Sequence, residues 1–273
     1  MAVSRIAQDS KLEYNQNLGA DLTHKIYNAM SEIVVHSAES FIQEDFEVVI
    51  LRDEVDSYQQ IFHNNFSSVH RVWGQDGPNN VLFLDCDTLV TGPTAVFGQY
   101  SHFQMFNYTD PKFVDGADKD NKYGLDFDHY FNAGCRYYPA TMKQPVWDLG
   151  WKYASDWDYN IWGTEQLIFN AMQYSQDPDV NTWLIPEMNY QAMNVPYNDI
   201  TNARRIDFLN KWNGVDLNDA KIMHLHGTRG ASNTLLLQWE LWRMITGEEF
   251  EFTEFIVQQD AQGKAVGLYA KQQ

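Results

Sequence analysis

Two aspartates one residue apart follow an apolar run in the stretch NVLFLDCDTLV, residues 80–90. An unpaired charge in such surroundings is costly, and residues i and i+2 of an extended chain point to the same side. No Lys or Arg lies between Val72 and Pro111, so the charge that balances Asp85 and Asp87 must come from a distant part of the chain or from solution. A hard divalent cation suits two such carboxylates.

The stretch KIMHLHG, residues 221–227, offers nitrogen ligands for the same kind of ion. Strand alternation would place Ile222, His224 and His226 on one face. Gly227 allows main-chain amides to approach a ligand closely. A lone histidine is more often structural, but two on one face beside a glycine turn favour a metal ligand.

Two further stretches carry polar groups in apolar surroundings. Asn132 stands in YFNAG, and a buried amide needs hydrogen-bond partners, which a polar ligand or a capped main-chain bulge could provide. Glu165 and Gln166 open the segment TEQLIFNAMQY, which predicts a helix. Acidic residues are favourable in the first helical turn anyway, so Glu165 is either a helix-dipole partner or a ligand contact.

Strands and helices alternate along the chain. The first elements predict the order βαβαβ and therefore an α/β fold with a mixed, mostly parallel sheet flanked by helices. In such a sheet ligands bind beyond the carboxyl ends of the strands, where Asp85 and Asp87 lie. In the tail, Phe250 and Phe252 alternate as in a strand. Strands are predicted over 2–8, 46–53, 81–84, 102–108, 130–138 and 220–227, and helices over 20–42, 55–73, 142–157, 164–174 and 233–245.

Length and composition limit the classes of function. A chain of 273 residues can bury the core of one large domain. A net charge of −18 would repel nucleic acid and anionic membranes. There is no apolar h-region at the start and no run of membrane-spanning length, so a cytoplasmic location is expected. Cys86 and Cys135 suit buried thiols in a reducing compartment. No feature indicates an oligomeric state.

Four stretches, in one order, resemble the motifs of GT-A nucleotide-sugar glycosyltransferases. DCD resembles the DxD segment, YFNAG the strand that borders the donor sugar, EQLIFN the DQxxxN helix start and HLHG the HxxG metal-binding turn. The resemblance is closest to the retaining group that includes glycogenin and the bacterial lipopolysaccharide galactosyltransferases. It implies one Rossmann-like GT-A domain over residues 1–273, with 231–273 as a C-terminal helix and tail.

The resemblance also implies roles for individual residues. Asp85, Asp87 and His224 would hold Mn²⁺, or Mg²⁺, with His226 as the rival ligand, and Asp85 would also touch the ribose. Asn132, Glu165 and Gln166 would face the sugar and act in catalysis. The residues expected to bind the rest of the donor are Ala133, Gly134, Gly227, Thr228, Arg229 and Arg71.

The implied reaction moves a hexose from a nucleoside diphosphate sugar, with a UDP-sugar favoured, to an unidentified hydroxyl acceptor. The family's HxxG turn continues to Lys-Pro-Trp, whereas HGTRGAS here offers only Arg229. Arg71 either replaces a family lysine or caps its helix. One alternative is a phosphatase of the haloacid dehalogenase type, although Leu89 stands where its DxDxT pattern needs threonine. Another is an inactive sugar-nucleotide binding protein.

Overall fold

The computed structural model describes residues 2–8, 20–55, 80–93, 104–108, 131–154, 164–174, 190–191, 221–225 and 231–271. The helices are α1 (Ala20–Phe41), α2 (Lys143–Ala154), α3 (Thr164–Tyr174) and α4 (Ala231–Thr246), with a short 3₁₀ turn at Ala140–Met142. The strands are β1 (Ala2–Gln8), β2 (Val49–Val55), β3 (Val81–Asp85), β4 (Thr88–Val90), β5 (Gln104–Tyr108), β6 (Phe131–Tyr138), β7 (Tyr190–Gln191), β8 (Ile222–His224), β9 (Phe255–Gln259) and β10 (Ala265–Ala270).

The described strands form a five-stranded sheet in the order β2-β1-β3-β6-β5, a three-stranded sheet in the order β4-β8-β7 and a β9-β10 hairpin. The predicted α/β class is confirmed. β1 runs parallel to β3, but β6 is antiparallel to both of its neighbours, β3 and β5. The sheet is therefore more antiparallel than predicted, because the βαβαβ order covers only the strands up to β3.

The described elements belong to two compact units. The first unit contains β2, β3, β5, β6, α2, α3 and most of β1. Its core forms where β3 and β6 meet the apolar faces of α2 and α3, which predicts a strong hydrophobic contribution to its stability. The buried residues of this core are Leu51, Val81, Phe83, Ala133, Tyr138, Val146, Leu149, Ile168, Phe169 and Met172.

The second unit contains α1, β4, β7, β8, α4 and the hairpin. Ile26, Met30, Ile33 and Val34 follow helical spacing and form the buried face of α1. Every residue of α4 from Thr234 to Trp242 is buried, so this helix is covered on all sides. No helix in the described ranges combines the length and the apolar character that crossing a bilayer requires. The single domain over 1–273 stays a prediction.

The C-terminal hairpin was not predicted. Phe250 and Phe252 lie before it, and the strand prediction for them is wrong, because both belong to the irregular segment between α4 and β9. Phe252 is buried there, and its ring packs edge-on against that of Phe250 with 4.9 Å between the ring centres. The Asp260 carboxylate accepts hydrogen bonds from the main-chain N–H of Gln262 and Lys264. Gly263 has φ +74°, a conformation that side chains disfavour. The sequence DAQGK therefore carried the signal for this turn.

Candidate metal centre

The two aspartates lie where a buried strand ends. Residues 81–84 of β3 are buried and Asp85 is half-buried, so the carboxylate stands at the point where the apolar run stops. Cys86 and Asp87 form a turn, and β4 follows immediately with three buried residues. We call residues 85–88 the acidic turn. It keeps both carboxylates near the surface while the chain on either side stays in the core.

Strand β8 brings a histidine to the acidic turn. β4 and β8 pair antiparallel, with Thr88 opposite His224. The Leu225 N–H donates to the carbonyl of Asp87 at 2.8 Å, which extends the ladder beyond the last strand residue. Because register fixes side-chain position, this pairing places the imidazole of His224 beside the carboxylate of Asp87.

The resulting geometry is compatible with a metal ion. Nε2 of His224 lies 2.9 Å from Oδ1 of Asp87, and the His224 side chain is 2% exposed against 27% for Asp87. One ligand atom from each of Asp85, Asp87 and His224 falls within 4.8 Å of the others. Adjacent ligands of an octahedral ion with bonds of about 2.1 Å are themselves about 3 Å apart. Two carboxylates and one imidazole could therefore hold a divalent cation.

The predicted sugar-facing residues meet at β6. The main-chain N–H of Ala133 donates to Oε1 of Gln166 at 3.1 Å, so the first turn of α3 is tied to β6. The main-chain N–H of Gly134 donates to Oδ1 of Asn132 at 2.7 Å, which is the capped-amide arrangement that the sequence left open. Asn170 donates from Nδ2 to the carbonyl of Gln166 at 2.7 Å. Both amide oxygens are thus directed at the β6 main chain.

Opposite charges act on the buried part of β6. Burial raises the pKa of the Cys135 thiol, the Asp85 carboxylate raises it further and the Arg136 guanidinium lowers it. Burial likewise raises the pKa of Tyr138, where Arg136 and Asp85 act in the same opposed directions. The guanidinium of the fully buried Arg136 lies 3.8 Å from the ring centre of Phe83 and 4.5 Å from that of Phe169. Arg136 is a cation that sequence reasoning did not single out.

Several predicted site residues are not described. Glu165 lies in the first turn of α3, but its side chain is outside the described part. The competition between His224 and His226 also stays open, since His226 is not described. The remaining predicted residues outside the described ranges are Arg71, Gly227, Thr228 and Arg229.

One buried amide escaped sequence reasoning. Gln238 of α4 donates from Nε2 to the carbonyls of Cys86 and Thr88, at 2.9 and 2.8 Å, on either side of Asp87. It is fully buried. The signal was present: a single amide interrupts the apolar run LLLQW, as Asn132 interrupts its strand. Nothing local, however, indicates which main-chain groups such an amide will meet.

Solved structures of glycosyltransferases are similar to this chain. WbbM, a bifunctional glycosyltransferase, matches with a TM-score of 0.51 at 13% identity, covering 89% of this chain and 50% of that chain. Mouse xyloside xylosyltransferase 1 matches with a TM-score of 0.49 at 10% identity, over 82% of this chain and 96% of that one. The galactosyltransferase LgtC, solved with donor and acceptor sugar analogs, matches with a TM-score of 0.41 at 12% identity, over 82% and 86%.

The match to WbbM shows a glycosyltransferase fold for this chain, which spans half of the length of WbbM. In sequence, no family model matches, and no curated protein does either. The predicted GT-A fold therefore rests on structural similarity, and membership of the glycogenin-like group stays a prediction.

Proposed function

We propose that this protein is a metal-dependent glycosyltransferase that moves a hexose from a nucleoside diphosphate sugar, with a UDP-sugar favoured, to a hydroxyl acceptor. The contact of 2.9 Å between Asp87 and His224 carries the proposal, because it joins two motifs 137 residues apart at one candidate ion site. The shared fold with WbbM supports it. Cys86 and Cys135 are buried and outside any disulfide, which fits the reducing cytoplasm that we propose as the location of this protein.

The donor atoms fit the proposed ion. Two carboxylate oxygens favour Mg²⁺ or Mn²⁺, and the imidazole of His224 moves the preference toward Mn²⁺. When bound, such an ion neutralises the charge that grows on the leaving diphosphate and so makes it a better leaving group. Asp85 and Asp87 supply the negative charge that attracts the ion. The ion would in turn bind the phosphates, because the sequence around this turn has no Lys or Arg to do so.

The roles proposed for Asn132 and Gln166 follow from the direction of their amides. Each side-chain oxygen accepts from the β6 main chain, so the opposite, N–H₂ end of each amide is the one a sugar hydroxyl would meet. Two donors from one rigid strand–helix junction would orient the sugar ring. The carboxylate of Glu165 would stabilise positive charge at the anomeric carbon.

Transfer breaks the bond between the anomeric carbon and the leaving phosphate oxygen and forms a bond from that carbon to the acceptor oxygen. The acceptor hydroxyl gives up its proton to the departing phosphate oxygen. We propose overall retention, by front-side departure or through a covalent intermediate. Nuclear magnetic resonance of the anomeric centre in the product tests this part, and an inverted centre would contradict it.

The direct test is a thermal-shift screen of nucleotides and nucleotide sugars with and without Mn²⁺. A ligand that binds the folded state raises its apparent stability by mass action, so UDP with Mn²⁺ should raise the melting temperature more than either alone. Additive or absent shifts across the whole set of nucleotides would contradict the proposal.

Two activity assays separate the alternatives. Slow release of UDP or GDP from a donor sugar in Mn²⁺ without acceptor indicates a transferase, whereas binding without release indicates an inactive binding protein. Turnover of p-nitrophenyl phosphate with Mg²⁺ would instead indicate a phosphatase.

A further inference from the structure

Gln238 uses its whole donor capacity on the acidic turn. A carboxamide nitrogen carries two hydrogens, and Nε2 of Gln238 donates one to the carbonyl of Cys86 and one to that of Thr88. Gln238, Cys86 and Thr88 are all buried, so a carbonyl left without a hydrogen-bond donor here would destabilise the fold. A side chain on a helix thereby spans the two peptide groups that enclose Asp87.

The carbonyl between them has a donor from another element. The carbonyl of Asp87 accepts from the main-chain N–H of Leu225, the residue after β8, at 2.8 Å. Three consecutive carbonyls, at residues 86, 87 and 88, therefore have assigned donors. Rotation of the Asp87 main chain in either direction breaks at least one of these bonds.

A second helix completes the same edge of β4. In the described three-stranded sheet β4 is an edge strand, and only one of its edges pairs with β8. On its other edge, the Val90 N–H donates to Oγ of Ser37 at 3.1 Å, and Ser37 donates in turn to the carbonyl of Val34. Side chains of α1 and α4 thus take the place of a neighbouring strand.

We propose that Gln238 is a positioning residue for the metal site: its two hydrogen bonds hold the main chain of Asp87 so that the carboxylate stays beside His224. The inference rests on the function proposed above. Gln238 would act by holding the main chain and not by contacting the ion or a ligand, because its amide nitrogen is hydrogen-bonded to two main-chain carbonyls. Groups that orient metal ligands in this way affect metal affinity strongly.

The test compares Mn²⁺ affinity in two variants of α4. Gln238→Met keeps the length of the side chain and removes the amide. Trp239→Phe is the matched control, because it removes one buried side-chain bond from the same helix, the donation from Nε1 to the carbonyl of Phe250, away from the acidic turn. Titration of Mn²⁺ alone, followed by electron paramagnetic resonance of the free ion, should give about 10- to 100-fold weaker binding for Gln238→Met.

The control decides the interpretation. Trp239→Phe should lower the melting temperature and leave the Mn²⁺ dissociation constant unchanged. If both variants weaken Mn²⁺ binding equally, or if Gln238→Met binds like the unmodified chain, the inference is wrong while the metal site stands. If the unmodified chain takes up no Mn²⁺, the proposed metal site fails and the inference fails with it.

A measurement on the unmodified chain covers the case in which Gln238→Met does not fold. In ¹⁵N spectra the side-chain amide protons of Gln238 should exchange slowly, because both are hydrogen-bonded in the core. Saturation with diamagnetic Mg²⁺, judged by displacement of Mn²⁺, should shift these two resonances and leave the Nε1 proton of Trp239 in place. Gln238 resonances that do not respond to the ion would contradict the proposal.

Discussion

Two glutamines on helices, Gln166 and Gln238, hold main-chain groups in two regions of the molecule, but with opposite ends of the same functional group. Gln166 turns its oxygen to the Ala133 N–H of β6, whereas Gln238 turns its nitrogen to two carbonyls of the acidic turn. The first arrangement directs amide hydrogens away from the strand. The second commits both hydrogens to the chain. We therefore propose that one residue type serves ligand contact in one place and positioning in the other.

The comparison predicts two different kinds of failure. Changes at the acidic turn should remove metal and nucleotide binding together, because two of the proposed ligands, Asp85 and Asp87, lie there and the third, His224, lies beside Asp87. Changes at Asn132 or Gln166 should leave the nucleotide bound and slow the transfer of the sugar.

Asp87→Asn should abolish Mn²⁺-dependent nucleotide binding. The change removes a charged ligand, so the loss of Mn²⁺ affinity should exceed the roughly 100-fold that outer partners of a metal site typically contribute. The fold should survive, because Asp87 is about one quarter exposed and the Leu225 N–H bonds to its main-chain carbonyl. Isothermal titration with Mn²⁺ and UDP measures the effect. Unchanged affinity would remove the basis of the metal assignment.

His224→Ala should weaken Mn²⁺ binding more than His226→Ala does. His224 is buried and in contact with Asp87, so its loss removes a ligand and also leaves a cavity. The same Mn²⁺ titration on both variants measures the difference, with circular dichroism to confirm folding. A larger loss with His226→Ala would move the nitrogen ligand two residues along the chain.

Gln166→Met should keep Mn²⁺ and UDP affinity and lower kcat by about 10²-fold, the size expected when one donor to a transition state is removed. The change also breaks the bond from the Ala133 N–H, so the melting temperature must be measured beside the kinetics. Asn170→Ala is the control, since it removes a bond to the main-chain carbonyl of Gln166 and spares the Gln166 amide. If Asn170→Ala loses as much kcat as Gln166→Met, a structural role for Gln166 explains the loss, and no contact between Gln166 and the sugar is needed.

The sequence predicted correctly those helices and strands whose signals lie within a few neighbouring residues. The prediction of a helix over 164–174 agrees with α3 at both ends, and the apolar run at 81–84 is β3 apart from its last residue. Asp85, Asp87 and His224 could be grouped because each sits beside a recognisable motif, and the β4–β8 register then brings them together.

The missed features depend on contacts distant in sequence. Gln238 meets carbonyls 150 and 152 residues earlier in the chain, and no spacing rule encodes such a distance. The sequence predicts Arg136 to be a strand residue, and only the structure shows that its guanidinium lies over the rings of Phe83 and Phe169. The hairpin is a different case, because its turn signal at Asp260 and Gly263 was local and was overlooked.

The smallest expected effect is a dependence of stability on alkaline pH, caused by two buried groups of β6. Burial raises the folded-state pKa of Cys135 above its ordinary value of 9.0 and that of Tyr138 above 10.0, so both groups are neutral and fully compatible with the fold at pH 7. Above pH 9 the unfolded chain loses these protons first, and stability should fall by up to about 1.4 kcal/mol per pH unit for each group.

Urea unfolding between pH 7 and 10.5 tests this. Cys135→Ala should reduce the slope above pH 9 and Tyr138→Phe the slope above pH 10, whatever constant stability each loses at pH 7. Since both side chains lie on β6, neither change should alter the hydrogen bonds from Gln238 to the acidic turn. We expect each variant to bind Mn²⁺ at pH 7 as tightly as the unmodified chain and to lose stability less steeply at alkaline pH. This result would show that the buried ionisable groups of β6 do not determine the geometry of the ion site. If the stability of Cys135→Ala falls as steeply above pH 9 as that of the unmodified chain, Cys135 ionises as readily in the folded state as in the unfolded one.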